Sequence, residues 1–511
     1  MDSVAKQLLC VNRIHPAVAW CHMCCRFRVG LSLLSCLALL WPTDGHAQSR
    51  APVIDATRTG DLPVLRALIT QGVDIDARQG DGATALHYAA HRNDLEAARL
   101  LIAAGATVGA TNDLSATPLW IAARNGSAGM ASLLLDAGAD PNVALQMGET
   151  PLMTASRSGD LETVTLLLDH GAAVNAAEHE RQQTPLMWAA AQSHSRIVRA
   201  LITHGANIHA RTAIWNQLEN TAGNTNPIGN FRMTHGGSSP LLFAARQGDL
   251  ETAQALIDAG ADVNDQAASG ASALVIAAHS GHSPLGIYLL EQGAEPNTVE
   301  AGYTALHAAV LRSQLELVEA LLAYGANPNA PLEHGTPGRR FSADYSLRYQ
   351  LIGASALWLA AKYGELEIFR TIMIHGGDPL ITPTGGMSTL QAAMGVTRGT
   401  EDRRNRVGIP APDPTHEEGR ALEITRQLLD LGIDVNTPDQ QGNTALHHAV
   451  RQGFRSVVGV LANRGANPHA SNDRDETPIS LAERYKSQVN DTNQDTEETI
   501  ASILGRLGVD N

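Results

Sequence analysis

Two apolar rhythms alternate along most of this chain. One is a heptad, such as "TALHYAA" at Thr84 to Ala90; the other is a longer stripe, such as "LETVTLLLD" from Leu161. In the stripe, apolar residues fall at i, i+3, i+4 and i+7, which places them on one face of an α-helix. Related heptads begin at Ala51, Thr84, Thr117, Thr150, Thr184, Ser239, Ser272, Thr304, Ser355, Ser388, Thr444 and Thr477, and eight of the eleven spacings are 32 to 34 residues. The other three are 55, 51 and 56.

Each heptad predicts a short helix. A Thr or Ser oxygen accepts from the otherwise unpaired first-turn N–H groups. Proline suits the next position, as at Pro118, Pro151, Pro185, Pro240 and Pro478. Leucine followed by paired alanines leaves a small face against which a neighbour can pack closely. Glycines such as Gly126, Gly159 and Gly248 then permit a left-handed turn into the second helix. That helix ends at signatures such as "GADPN" at Gly138 and "GANPN" at Gly325, whose Asp, Asn and Pro favour a turn. One such pair cannot bury its apolar face alone, whereas stacked copies can. The prediction is an all-α repeat solenoid of about twelve units.

These units resemble ankyrin repeats, through T-P-L-H-x-A-A, then G-D-L-E, then G-A-D/N-x-N, over residues 51 to 508. The resemblance implies two antiparallel helices plus a β-turn finger per unit. It also implies protein binding on the concave face made by the fingers and first helices. The units from Ala51 and Thr477 look like terminal caps.

At 511 residues, 44% hydrophobic and 17% charged, the composition is globular. Only 4% is aromatic, so leucine and small residues must build the interior. A net charge of −15 argues against broad binding to nucleic acid or anionic lipid. All five cysteines, Cys10, Cys21, Cys24, Cys25 and Cys36, precede Leu37. There "MCCRFRVGLSLLSCLALLWPTDGHAQSR" from Met23 has a basic start, an apolar run from Val29 to Trp41 and a small-residue site ending at Ala47. This is the layout of a signal peptide. Residues 1–47 are therefore read as a cleaved signal, with Met23 as the possible true start. An uncleaved anchor and lipidation at Cys36 are the alternatives. The expected mature chain is cysteine-free, with a repeat array over 48–508 and a tail at 509–511. It is expected to be periplasmic or secreted, bacterial in type, monomeric, and without a membrane span.

The fourth heptad position holds His87, His307 and His447, but also Trp120, Met153, Met187, Leu242, Val275, Trp358, Gln391 and Ser480. A metal site needs histidines from adjacent units or at i, i+4. Three histidines several units apart, alternating with Trp and Met, read instead as a packing position. The eighth position is basic in seven of twelve units, including Arg124, Arg157 and Arg246. A basic row on a concave face would suit an acidic partner; the plainer reading is pairing with nearby carboxylates.

Three insertions break the period. Residues 211–238 and 331–353 extend two fingers, and 395–419 separates the two helices of one unit as a Pro-rich, charged loop. The first two carry Trp215, Phe231, Arg232, Arg339, Arg340, Phe341, Tyr345 and Tyr349, residue types that anchor interfaces. Phe341, Tyr345 and Tyr349 are spaced i, i+4, i+8, which suits one face of a short helix that contacts a partner or packs on the array. No P-loop, GxSxG, HExxH or dinucleotide fingerprint occurs. The expectation is an exported, non-catalytic scaffold with a protein partner and without cofactor or metal. The alternatives are an enzyme or ligand-binding protein that uses the insertions, and a secreted effector acting on host proteins.

Overall fold

In the computed structural model the described residues are 51–220, 230–333, 336–337, 345–346, 351–395, 414–488 and 500–507. They belong to one compact unit that starts at Arg50. Among them are twelve helix pairs, one for each heptad. Odd-numbered helices are the first of each pair: α1 (Pro52–Thr59), α3 (Ala85–Arg92), α5 (Pro118–Asn125), α7 (Pro151–Ser158), α9 (Pro185–Ala191), α11 (Pro240–Gln247), α13 (Ala273–Ser280), α15 (Ala305–Leu311), α17 (Ala356–Tyr363), α19 (Thr389–Ala392), α21 (Ala445–Gln452) and α23 (Pro478–Gln488). Even-numbered helices are the second: α2 (Leu62–Thr70), α4 (Leu95–Ala103), α6 (Ala128–Asp136), α8 (Leu161–Asp169), α10 (Ser195–Thr203), α12 (Leu250–Asp258), α14 (Ser283–Glu291), α16 (Leu315–Ala323), α18 (Leu366–Ile374), α20 (Pro414–Asp430), α22 (Arg455–Asn463) and α24 (Ile500–Leu507). First helices pack on neighbouring first helices and second on second, giving two layers. The fold is a solenoid of stacked helix pairs.

Local chemistry sets each helix. Thr117 Oγ1 accepts from the Trp120 N–H at 3.1 Å and Ser355 Oγ from the Trp358 N–H at 3.2 Å. Three second helices are capped by aspartate instead, at Asp61, Asp94 and Asp249. Asp94 accepts from the Ala97 N–H at 3.0 Å and Asp61 from the Val64 N–H at 3.0 Å. The break between helices often falls on a left-handed residue such as Gly159 (φ 87°); a Cβ there would lie 2.7 Å from the His194 ring. Between the layers, the third heptad residue is buried in every unit but the last, as at Leu86, Leu119, Leu152, Leu241, Leu306 and Leu446. It meets the second-helix stripe, Leu101, Leu134, Leu167, Leu201, Leu256 and Leu321. Each such leucine contributes roughly 1.5–3 kcal/mol by leaving water.

Successive units are also tied by polar bonds. In six units the Asn of the Gly-Ala-x-x-Asn turn clamps the next unit. Asn297 Nδ2 donates to the Gly325 carbonyl at 3.0 Å while its Oδ1 accepts from the Asn327 N–H at 2.7 Å. Asn142, Asn175, Asn264, Asn329 and Asn436 repeat this pair of bonds on the following unit. Fingers join laterally as well. The N–H groups of Asp113, His179, Ala213, Ala268, Glu333, Thr384 and Asp473 donate to the preceding finger's Asp81, Met147, Arg181, Gly236, Gly302, Ile352 and Gln441 carbonyls.

The insertions refine the sequence reading. Residues 214–236 form an antiparallel hairpin, β1 (Ile214–Asn220) with β2 (Asn230–Gly236), in register from Ile214↔Gly236 to Asn220↔Asn230. Arg211–Ala213 and Gly237–Ser238 are the finger's base, bonded to each other and to the neighbouring fingers. In the second insertion β3 (Thr336–Pro337) pairs with β4 (Tyr345–Ser346). Tyr345 is thus on a strand, not on the helix that its spacing suggested, because its backbone pairs with Thr336–Pro337. The third insertion is shorter than 395–419: α20 begins at Pro414, so 414–419 is helical and supplies that helix's first turn and a half.

Asn297→Ala is expected to lower stability by roughly 1–3 kcal/mol, the cost of stranding its two backbone partners. A urea titration checks this through a lower midpoint.

Candidate functional site

The fourth heptad position settles whether its histidines are chemistry or architecture. The Thr84 N–H donates to His87 Nδ1 at 3.1 Å, so Nδ1 bears no proton and Nε2 does. Nε2 then donates to the Ala116 carbonyl, 2.9 Å away, directly before the next unit's cap. His307 spans Thr304 and Ala354, and His447 spans Thr444 and Glu476, in the same way. Gln391 reproduces the arrangement without an ionisable group. Its Oε1 accepts from the Ser388 N–H at 2.7 Å, and its Nε2 donates to the Asn443 carbonyl at 2.8 Å. Trp358 keeps only the second bond, to Met387 at 2.9 Å. In these five units the position staples the unit to the next, whereas Met153, Met187, Leu242 and Val275 only pack there. Burial, chiefly, pushes the His307 pKa down to about 4 and also lowers those of His87 and His447.

The fifth and eighth heptad positions face the fingers and form the candidate binding surface. Fifth-position Ile121, Trp188 and Phe243 are half-buried. Beyond them, at the fingertips, Leu114, Met147 and Ile214 are exposed. These apolar residues span units 3 to 6.

The cations of the eighth position are largely engaged. Arg157 pairs with Glu149 at 3.2 Å and lies 4.6 Å over the Trp188 ring; Arg451 pairs with Glu476 at 3.0 Å. Arg124 lies 5.9 Å over Trp120, and Arg246 is exposed on α11. The first helices hold nine Arg or Lys against two Asp or Glu, and the second helices nine against fourteen. Their inner layer is therefore basic in an acidic chain, although finger carboxylates such as Glu149 offset part of it.

The hairpin's base is braced by Trp215, which stacks on His235 at 5.6 Å and lies under the Arg181 guanidinium at 4.0 Å. Trp215 is thus committed to anchoring the hairpin, while Ile214 and Arg232 are exposed on it. Phe231 and Tyr345 lie on strands but their side chains are outside the described residues, as are Arg339, Arg340, Phe341 and Tyr349 entirely.

Sequence reasoning passed over two features. Leu114 and Met147 sit at equivalent places in adjacent fingers, a signal visible only once fingers are aligned by their closing bonds, Asn112 N–H to Ala116 and Leu145 N–H to Glu149. The other is a buried pair, His448 Nε2 to Asp439 Oδ2 at 3.0 Å. Burial acts to raise the Asp439 pKa, but bonds from His448, Asn443 and Gln441 outweigh it and hold the carboxyl near 2. The chain from Asp439 runs on through Asn443 and Asn472 to Glu476, linking the last two fingers. His448 sits beside no third ligand: among the described residues, no three His, Cys, Asp or Glu gather as a metal site.

The architecture defines a helical-repeat binding protein with finger loops along one side. Residues 53–144, 138–212 and 237–331 match the model for ankyrin repeats (3 copies), and 428–482 that for ankyrin repeats (many copies). The chain belongs to the ankyrin repeat family. It is 30% identical over 225 residues to mouse ankyrin repeat and SOCS box protein 16, covering 41% of this chain and 46% of that one. To the Arabidopsis thaliana E3 ubiquitin-protein ligase KEG it is 26% identical over 267 residues, 48% of this chain and 16% of that one. The chain thus spans less than half the length of these relatives. Among solved structures, the human ASB11 ankyrin repeat domain is similar at 28% identity, TM-score 0.40, covering 48% of this chain and all of that one.

Protonating a stapling histidine puts a second donor opposite the cap N–H. A folded pKa below the ordinary 6.5 means stability is full above pH 6.5 and is lost as pH falls toward 4. Thermal melts from pH 7.5 to 4.5 are expected to show the melting temperature dropping across this window. His307→Gln, which copies the arrangement at Gln391, is expected to flatten the drop; an unchanged slope refutes the staple as its source.

Proposed function

We propose that this chain is an exported, non-catalytic scaffold that holds a protein partner on its first-helix and finger face, centred on units 3 to 6. The observation that carries the reading is the run of exposed apolar fingertips, Leu114, Met147 and Ile214, over half-buried Ile121, Trp188 and Phe243. Exposed apolar side chains beside Arg and Trp are the composition of binding hot spots. The protruding hairpin forms one wall of this surface, with Arg232 and, by their residue types, Phe231 and the second insertion's Arg339, Arg340, Phe341, Tyr345 and Tyr349 as further contacts. Arg124, Arg157 and Arg246 give the face a basic character that favours a partner with acidic residues, modestly, since Glu149 already holds Arg157.

Export rests on the N-terminal segment: the basic start, the apolar run from Val29 to Trp41 and the small-residue site at Ala47. The same segment is the basis for placing the chain in a bacterial periplasm or outside the cell. Among the described residues no helix is long and apolar enough to cross a membrane.

Met147→Asp with Ile214→Asp is expected to weaken partner binding roughly 30-fold or more, the loss of about 2 kcal/mol typical of a hot spot, at unchanged melting temperature. Shortening the hairpin between Asn216 and Thr234 should do the same, and spares the finger's base, where Arg211 also pairs with Asp265. Crosslinking and mass spectrometry from the native extract identify the partner; equal recovery with both variants overturns the surface. Peptide mapping of the purified native protein is expected to find Gln48 as its first residue, and recovery of peptides before Ala47 overturns cleavage.

A further inference from the structure

One joint combines three exposed apolar residues at places where several other joints carry polar side chains. At three joints the residue after a second helix meets the last residue of the second helix before it: His170 with Asp136 at 3.9 Å, His204 with Asp169 at 3.8 Å, and Arg464 with Asp430. The Asn clamp adds bonds from the earlier unit's turn to the later unit's Gly-x-x segment. At the joint between units 9 and 10, the corresponding residues are Ile374, Leu431 and Leu380. They are 83%, 57% and 70% exposed. The repeat geometry sets Leu431 against Ile374 and Leu380 beside Gly432, so the three make one patch. It lies on the ends of the second helices, not on the first-helix face.

Leu380 takes the place of an asparagine and forgoes two backbone bonds. Ile374 and Leu431 take the place of an ion pair. All three side chains are exposed, so these exchanges add little to the core. Positions that break a local rule without internal gain are where function is expected. The rim is acidic: Asp378 lies two residues before Leu380 and Asp434 three after Leu431, both exposed, while Asp430 is already paired with Arg464. The second helices hold fourteen Asp or Glu against nine Arg or Lys, and the net charge of −15 repels an anionic membrane.

We propose that this patch is a second docking site, for a partner segment that presents apolar side chains between Lys or Arg residues. With the first-helix face engaged elsewhere, the chain would then bridge two proteins. The inference stands apart from the reading of units 3 to 6, since the two surfaces share no residue.

The test uses the variant Ile374→Asp, Leu380→Asn, Leu431→His, which copies Asp169, Asn175 and His204 of the joint between units 4 and 5. The new asparagine is expected to restore the clamp, so the variant should melt no lower than the natural chain. The probes are two synthetic amphipathic peptides with identical leucine positions, one bearing lysines and one glutamates. Methyl NMR on the full array is expected to show the lysine peptide shifting Ile374, Leu380 and Leu431, with at least tenfold weaker binding by the glutamate peptide and by the triple variant. No shift at these methyls overturns the site. Equal binding of both peptides overturns the proposed partner chemistry. Self-association in ultracentrifugation that the triple variant abolishes would make the occupant a second copy and overturn the proposal as well.

Discussion

Everything in this molecule depends on the joint between one helix pair and the next. A single pair, such as α7 with α8, has a buried face on both sides and no core of its own. Its stability is the sum of what it gains against its two neighbours. Leucine burial supplies most of that gain without direction. Direction comes from polar bonds that reach across: the fourth heptad side chain to the carbonyl before the next cap, the turn asparagine to the next glycine, and finger to finger. These bonds need fixed spacing between units, which is why the period is so strict outside the insertions.

That constraint explains where variation is tolerated. The insertions fall within fingers or between the helices of one unit, away from the packed leucines. Asn329 still clamps Gly376 although the second insertion lies between them in sequence. Lengthening a finger changes the surface offered to a partner and leaves the stack alone. The same logic separates the two kinds of histidine. His87, His307 and His447 belong to the stack and are buried neutral, while His170, His204 and His375 sit at helix ends and bond the last turn.

It also separates the two surfaces. The first-helix layer is basic and carries apolar fingertips, and the second-helix layer is acidic and carries one apolar interruption at Ile374, Leu380 and Leu431. Charge of opposite sign on opposite layers means that two partners with different chemistry need not compete.

The sequence by itself determined the class and the count of units. Caps, prolines, glycines and helical stripes are local signals, and repeating them twelve times makes each unit's helices and their order legible. It also showed that His87 shares its place with Trp and Gln, which argued for packing over catalysis. Tertiary structure decided what depends on spatial neighbours. Which nitrogen of His87 carries the proton depends on Thr84 and on Ala116, one in its own unit and one in the next. The sequence favoured carboxylate partners for Arg157 and its equivalents, but only the structure shows that Glu149 and the Trp188 ring hold it. Tyr345 read as helical from its spacing, but β4 forms because Thr336–Pro337 lies opposite. Leu114 and Met147 became a surface only when neighbouring fingers aligned. Periodicity along the chain fixes which residues belong to a unit; which side chains meet across units is set by packing in three dimensions, and sequence spacing does not encode it.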